Sequence, residues 1–333
     1  MRVCFAIAAL VLVAALAASC GEKPEETTES GLTKVELALD FYVNPDHAGI
    51  YEALERGYFA GEGLAVEPRV PSDPSAPIKE VATGRADLAI SYEPEVLLAR
   101  DQGLPVTAVA AIVQRPLTSL IWLPDSGIAG PQDLGGKTVA TAGIPYQDAF
   151  LKAILARSGQ STDDVKSVAV GLNLLPALLS GQADAILGGF ANVEGVNLAL
   201  RGKDPTVVPV DRLGVPTYDE LVLVANSDDL ETDGKKIHGF IAALRRGTAT
   251  AAANPRQATE AILQAGDGLE PRLTAAEIRK TLPLLTQEGD KGTFGYMDPD
   301  AWRRFGRFMA ADDLLESRPP ISEAIDNSFL PGY

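Results

Sequence analysis

Cysteine and histidine are nearly missing from this chain. Its 333 residues hold two cysteines, Cys4 and Cys20, and two histidines, His47 and His238. With both cysteines at the extreme N-terminus, a disulfide framework, a thiol nucleophile in the folded body and the usual His/Cys zinc site are excluded. No metal or cofactor is expected. Positive charge is scarce too: 29 Lys+Arg stand against 45 Asp+Glu, a net charge of −16. Such a chain repels phosphate backbones, so no nucleic-acid partner is expected. Gly-x-Gly-x-x-Gly, a Walker sequence and Gly-x-Ser-x-Gly are all lacking, which removes the best-marked routes to nucleotide binding and serine hydrolysis. What is left, 46% hydrophobic and 22% charged, is the make-up of a folded protein of about two domains.

Long apolar runs are few. The first, Cys4 to Ala18 after the single basic Arg2, is shorter than the roughly 20 residues a spanning helix needs, and it reads as a signal-peptide core. It closes on Leu16-Ala17-Ala18-Ser19-Cys20-Gly21, which resembles a bacterial lipoprotein signal. Residues 1–19 are therefore expected to be removed and Cys20 lipidated, an ordinary secretory cut near the same place being the alternative. Residues 20–33 are polar, acidic and Pro-containing, the composition of a flexible tether.

Beyond the tether, strand-like and helix-like segments alternate, which predicts an α/β protein with largely parallel sheets. Val35, Leu37 and Leu39 fall on one face of a period-2 strand, and a helix follows from Gly49 to Gly57. A second run of the same kind begins near Ser126, after punctuation by Asp125-Ser126-Gly127 and Gly130-Pro131. From Gly234 the pattern is helical in four segments, about 235–253, 255–265, 274–285 and 298–312. Helices without strand partners have to pack on an existing sheet, so they are expected to return to the first block. The expected organisation is a discontinuous lobe, 34–123 plus 224–333, around an inserted lobe, 124–223, with crossovers near Leu123 and Leu223.

Ligands of open α/β sheets bind beyond the carboxyl ends of the strands, so function is sought in the strand-end loops. These loops hold Phe41, Tyr42, Tyr92, Tyr146, Phe190 and Tyr218, six of the chain's 20 aromatics. Their polar members are Asp40, Asn44, His47, Glu93, Gln147, Asn192, Glu194 and Glu220. Flat faces with a few fixed acceptors suit a neutral or weakly basic heteroaromatic ring. Ordinary core packing is the alternative for each aromatic. Catalysis has less support. Glu93 and Glu95, at i and i+2 on a helix start, point apart, and Asp40 with His47 has no nucleophile in a recognisable context. Gly143-Ile144-Pro145 opens a helix whose N–H groups could meet an anion, a common feature.

Several blocks are more specific than the general pattern. Leu39-Asp40-Phe41-Tyr42-Val43-Asn44-Pro45-Asp46-His47-Ala48-Gly49-Ile50-Tyr51, Glu55-Arg56-Gly57-Tyr58-Phe59, Ser91-Tyr92-Glu93-Pro94-Glu95-Val96, Gly188-Gly189-Phe190-Ala191-Asn192-Val193-Glu194-Gly195 and Tyr218-Asp219-Glu220-Leu221-Val222 resemble the thiamine-pyrimidine-precursor binding family. That family lies within the solute-binding proteins of nitrate, sulfonate and taurine ABC importers, and the resemblance spans nearly all of residues 34–330. It implies a type II periplasmic-binding fold, two hinged lobes with an interlobe cleft. The ligand-binding set it implies is Asp40, Phe41, Tyr92, Glu93, Phe190, Asn192, Glu194 and Tyr218, to which the loop analysis adds Asn44, His47 and Tyr146. In relatives, aromatic rings sandwich an aminopyrimidine while a carboxylate at the Glu194 position takes its N–H bonds.

This chain departs from the pattern at Phe41, where Trp is common, and at Phe190-Ala191, where Tyr-Trp is common. Close cousins bind riboflavin. A fungal pyrimidine synthase of the same fold uses one of its own histidines as substrate; the matching position here is Glu95, and that enzyme's cysteine cluster is missing. The expected function is thus a non-catalytic component of an ABC importer, anchored outside the membrane by lipid at Cys20. It is expected to work as a monomer, delivering a formylaminopyrimidine- or hydroxymethylpyrimidine-type ligand to a permease. A riboflavin binder, a synthase-like enzyme and a surface sensor are the alternatives.

Overall fold

The computed structural model describes residues 26–286, 292–317 and 320–333. The signal segment and Cys20 lie outside them. The described end of the expected tether is folded: Thr27 bridges to Thr33, and Gly31 at φ +79° lets the chain turn back.

The first half of the chain runs β1 (Thr33–Ala38), α1 (Ala48–Glu55), β2 (Leu64–Arg69), α2 (Pro77–Ala82), β3 (Leu88–Ser91), α3 (Glu93–Asp101), β4 (Val106–Val113) and β5 (Thr118–Trp122). It continues through β6 (Thr138–Thr141), α4 (Pro145–Arg157), β7 (Lys166–Ala169), α5 (Leu174–Leu179), β8 (Ala185–Phe190), α6 (Glu194–Leu200), β9 (Thr206–Pro209) and β10 (Leu221–Asn226). Four long helices close it: α7 (Gly234–Ala253), α8 (Pro255–Ala265), α9 (Pro271–Leu285) and α10 (Pro299–Ala311).

These strands form two five-stranded sheets, ordered β2-β1-β3-β10-β4 and β7-β6-β8-β5-β9. Each is parallel except for one strand, β10 in the first and β5 in the second, which runs antiparallel to both its neighbours. Each exception is the strand that enters its sheet straight from the other lobe. This corrects the expected boundaries. Thr118–Trp122 pairs with the inserted sheet and Leu221–Leu223 with the first, so the crossovers fall at residues 114–117 and 214–220 rather than at Leu123 and Leu223. The reason is a carboxylate. Glu220, fully buried, accepts hydrogen bonds from the N–H groups of Leu117 (2.6 Å) and Thr118 (2.8 Å), from Thr118 Oγ1 (2.8 Å) and from the Tyr218 hydroxyl (3.0 Å). One side chain thereby ties the two crossovers together. Burial pushes its pKa up to about 7.

Sequence periodicity explains the layers. In β1, Val35 and Leu37 are fully buried while Lys34 and Glu36 face outward. β4 is apolar except for Thr107 and is buried throughout although it ends its sheet. The C-terminal segment covers that edge: Asp326 N–H donates to Ala108 O at 2.9 Å and Ala111 N–H to Gly295 O at 2.8 Å. The helices α7, α8 and α9 pack on the first lobe around α1. α7 approaches α1 so closely that a Cβ on Gly247 would lie 2.1 Å from Gly49 O. α10 sits behind the hinge, where Phe305 packs on Tyr218 (ring centroids 5.0 Å apart) and on Phe150 of α4 (6.2 Å).

Candidate functional site

Strands of both sheets end toward one gap, and the loops that follow them wall a nearly closed cleft with only about 20 Å³ free inside it, so a ligand enters when the lobes part. The first lobe contributes Phe41, Tyr42, Asn44 and Tyr92; the second contributes Ala142, Ile144, Tyr146, Gln147, Gly188, Phe190, Val193 and Glu194. The lobes touch across it. Tyr42 donates its hydroxyl to Glu194 Oε1 at 2.8 Å, and Asn192 Nδ2 donates to Asp46 Oδ1 and to Thr281 Oγ1, both at 2.8 Å. The structure is thus a closed form.

Of the expected residues, Phe41, Asn44, Tyr92, Tyr146, Phe190 and Glu194 reach the wall. The other five stand behind it. Asp40 is buried between two partners, the Tyr92 hydroxyl on Oδ2 at 2.9 Å and His47 Nε2 on Oδ1 at 2.8 Å. Because His47 Nδ1 accepts the Asn44 N–H, its proton sits on Nε2 and is given to Asp40. This triad fixes the loop after β1 and aims the Tyr92 ring into the cleft. Glu93 accepts the Asp219 N–H at 2.7 Å and pins the second crossover to α3. Asn192 is spent on the contact between lobes. Tyr218 serves the hinge through Glu220. Asp40, His47, Glu93, Asn192 and Tyr218 therefore carry and lock the site rather than line it.

Tyr42 and Gln147, candidates from the strand-end loops that the expected ligand-binding set leaves out, also belong to the wall. Tyr42 packs against Phe41 with centroids 4.6 Å apart. Gln147 accepts the Ala142 N–H through Oε1 at 2.8 Å, and its amide lies where a side chain on Gly188 would go, 2.4 Å from an added Cβ. Gly188 also sits at φ +113°, so this corner of the wall needs glycine. Their signal was available in the Phe41-Tyr42 and Tyr146-Gln147 pairs that open after strands.

Electrostatically the cleft is acidic. No Lys or Arg is among its lining residues, and its one ionisable acid is Glu194. Burial raises the Glu194 pKa against the pull of the Phe190 N–H, which donates to Oε2 at 2.7 Å, and of the Tyr42 hydroxyl. The phenols of Tyr42, Tyr92 and Tyr146 are held well above their ordinary value, chiefly by burial and then by Glu194, Asp40 and Glu220 respectively, so they stay neutral donors. With Phe41, Phe190 and three tyrosines as walls, the site offers flat apolar faces and a single acceptor carboxylate. It can grip a small planar molecule that brings N–H donors. It repels anions.

Two α/β lobes, joined by a two-stranded crossover and closing on a shared cleft, define the periplasmic-binding-protein fold. The alkanesulfonate-binding protein SsuA from Xanthomonas axonopodis pv. citri superposes with a TM-score of 0.70 over 89% of this chain and 98% of that one, at 16% identity. In sequence, residues 44–258 match the family described as NMT1/THI5 like. The chain is 36% identical to the formylaminopyrimidine-binding protein of Halalkalibacterium halodurans over 96% of this chain and 97% of that one. It is 28% identical to the riboflavin-binding protein RibY of Chloroflexus aurantiacus over 93% and 89% of the two chains. It is 27% identical to the 4-amino-5-hydroxymethyl-2-methylpyrimidine phosphate synthase of Legionella pneumophila over 90% and 93%. The chain belongs to the NMT1/THI5 like family.

Proposed function

We propose that this protein is the extracytoplasmic solute-binding component of an ABC importer and that its ligand is an aminopyrimidine of the formylaminopyrimidine or hydroxymethylpyrimidine type. The observation that carries this reading is the cleft's chemistry: stacking faces on both lobes around one buried acceptor, Glu194, with no cation beside it. An aminopyrimidine supplies what that arrangement lacks, a flat ring and N–H donors for a carboxylate. A sulfonate or nitrate would meet Glu194 with no compensating charge, so the fold shared with SsuA does not extend to its anionic ligand class.

Release without chemical change is supported by a wall that holds no Ser, Cys, Lys or His. It is supported also by Glu95, which stands where the synthases are expected to carry their substrate histidine. Glu95 is buried away from the cleft and accepts the Ser91 hydroxyl. Among the described residues no helix is long and apolar enough to cross a membrane; attachment is assigned to lipid on Cys20, and the permease is the membrane partner. RibY supports riboflavin as the second ligand class; its tricyclic ring and ribityl chain would hold the lobes further apart than a single pyrimidine ring does.

A melting-shift panel tests the reading. Formylaminopyrimidine should raise the midpoint through binding to the native state, riboflavin should raise it less, and alkanesulfonates and nitrate not at all. A shift with sulfonate alone would refute it.

A further inference from the structure

Where the lobes meet, two buried oxygens have no hydrogen-bond partner: Asp46 Oδ2 and Asn192 Oδ1. They belong to side chains already joined through their other ends, since Asn192 Nδ2 donates to Asp46 Oδ1 at 2.8 Å. Asp46 comes from the loop after β1 and Asn192 from the loop after β8, so the pair straddles the closure. Each leftover oxygen is an acceptor on one half of a bonded pair, and what the pair lacks is a donor. A carboxylic acid and a primary amide supply it to each other when the acid is protonated.

We propose that Asp46 is a neutral acid in the closed protein, its Oδ2–H donating to Asn192 Oδ1 while Asn192 Nδ2–H donates to Asp46 Oδ1. This two-bond acid–amide ring couples lobe closure to the uptake of one proton.

The surroundings favour the neutral form. Burial raises the Asp46 pKa well above its ordinary value, and the charge of Asp40 raises it further. The ionisable groups that face it are Asp40, with His47 behind it, Glu194, Glu220, Tyr42 and Glu277 of α9. Glu277 is itself pushed up to about 8, chiefly by burial. On the other packed elements, Glu52 of α1 is paired with Arg56, and Arg256, Glu260, Arg279 and Lys280 of α8 and α9 point to solvent. No three His, Cys, Asp or Glu side chains among the described residues gather closely enough to hold a metal ion. When the lobes part, Asp46 meets water and its proton leaves; when they close, one is taken up. Closure, and capture with it, is favoured by acid.

The inference rests on the lobes opening and closing, as the proposed function does, and not on which ring is bound. Asp46→Asn tests it, because an asparagine there offers Asn192 the same donor and acceptor without a proton. With formylaminopyrimidine as the probe, wild-type affinity should fall with rising pH by up to about tenfold per unit through the range where only the closed form holds the proton. D46N should bind with a slope one proton shallower; equal slopes would overturn the proposal. Infrared spectra of the ligand-saturated protein carrying isotope-labelled aspartate read the proton directly. A protonated-carboxyl band at neutral pH that disappears in N192A supports the ring, and a spectrum showing only carboxylate for Asp46 refutes it. A probe that fails to bind counts against the ligand assignment alone, and the ring is then read by infrared on whichever compound of the melting-shift panel closes the lobes.

Discussion

Glu194→Gln isolates the cleft's acceptor with the least disturbance of its frame. In the native site Oε2 receives the Phe190 N–H at 2.7 Å and Oε1 the Tyr42 hydroxyl at 2.8 Å. A glutamine must turn its oxygen to Phe190, whose N–H can only donate, and its Nε2 to Tyr42, whose hydroxyl can accept instead. The lobe contact therefore survives, and removing a buried charge is close to neutral for folding. The ligand fares differently. It loses a hydrogen bond to a charged acceptor, worth about 1.5–3 kcal/mol, and any ring N–H aimed at Oε1 now meets an N–H. At roughly 1.4 kcal/mol per tenfold, the dissociation constant for formylaminopyrimidine should rise by about 10- to 150-fold with the melting temperature of the free protein almost unchanged. Calorimetric titration of both proteins reads the difference. An affinity within threefold of wild type, in a variant that folds normally, would show that Glu194 is not the acceptor and that the ring is held by stacking alone.

Phe190→Ala and Phe41→Ala should each weaken binding by about 1–3 kcal/mol through lost stacking and burial, measured by the same titration; Phe190, buried in the protein, should also lose stability, and half-buried Phe41 less. Glu220→Ala leaves three buried donors at Leu117 and Thr118 without their acceptor and should cost about 3 kcal/mol or more of stability in urea unfolding. Gly247→Ala drives a methyl into Gly49 O across the contact between α1 and α7 and should destabilise by about 1–3 kcal/mol, on the same assay. The acids Glu95, Asp219, Glu220 and Glu277 are raised by burial to about 7, 7, 7 and 8. For acids whose folded pKa lies above the unfolded one, the native state holds more protons, so stability is greatest below the unfolded pKa and is lost as pH rises through the folded values. The melting temperature should accordingly fall between about pH 5 and about pH 8 in calorimetric scans, and a rise over that interval would contradict these shifts.

The strand-end loops were legible because period-2 apolar segments stop at clusters of aromatic and polar residues, and both lobes obey this pattern. Which side of a loop faces the gap was not legible. Asp40, Asn44 and His47 sit within eight residues of one another and look alike in sequence, yet the tertiary partner Tyr92 turns Asp40 and His47 inward and leaves Asn44 on the wall. Tyr42 is adjacent to Phe41 and equally aromatic; its role depends on Glu194, 152 positions away. The lobe boundary shows the same limit. Leu117 to Leu123 follows β4 after a short Gln114-Arg115-Pro116 link and reads as the next strand of the same sheet. Only the long-range bonds from Glu220 fix Thr118 at the crossover and send β5 to the other lobe. The resemblance to a known family pointed to residues of this cleft, Glu194 among them, but did not separate those that line its wall from those that hold the lining residues in place.

The central claim is that two lobes close on a small aminopyrimidine and release it unchanged. Titration of the purified protein with formylaminopyrimidine, followed by recovery of the ligand and mass measurement, tests it most directly. One ligand should bind per chain, micromolar or tighter, and be recovered intact. No binding, or recovery of a chemically altered molecule, would contradict the account.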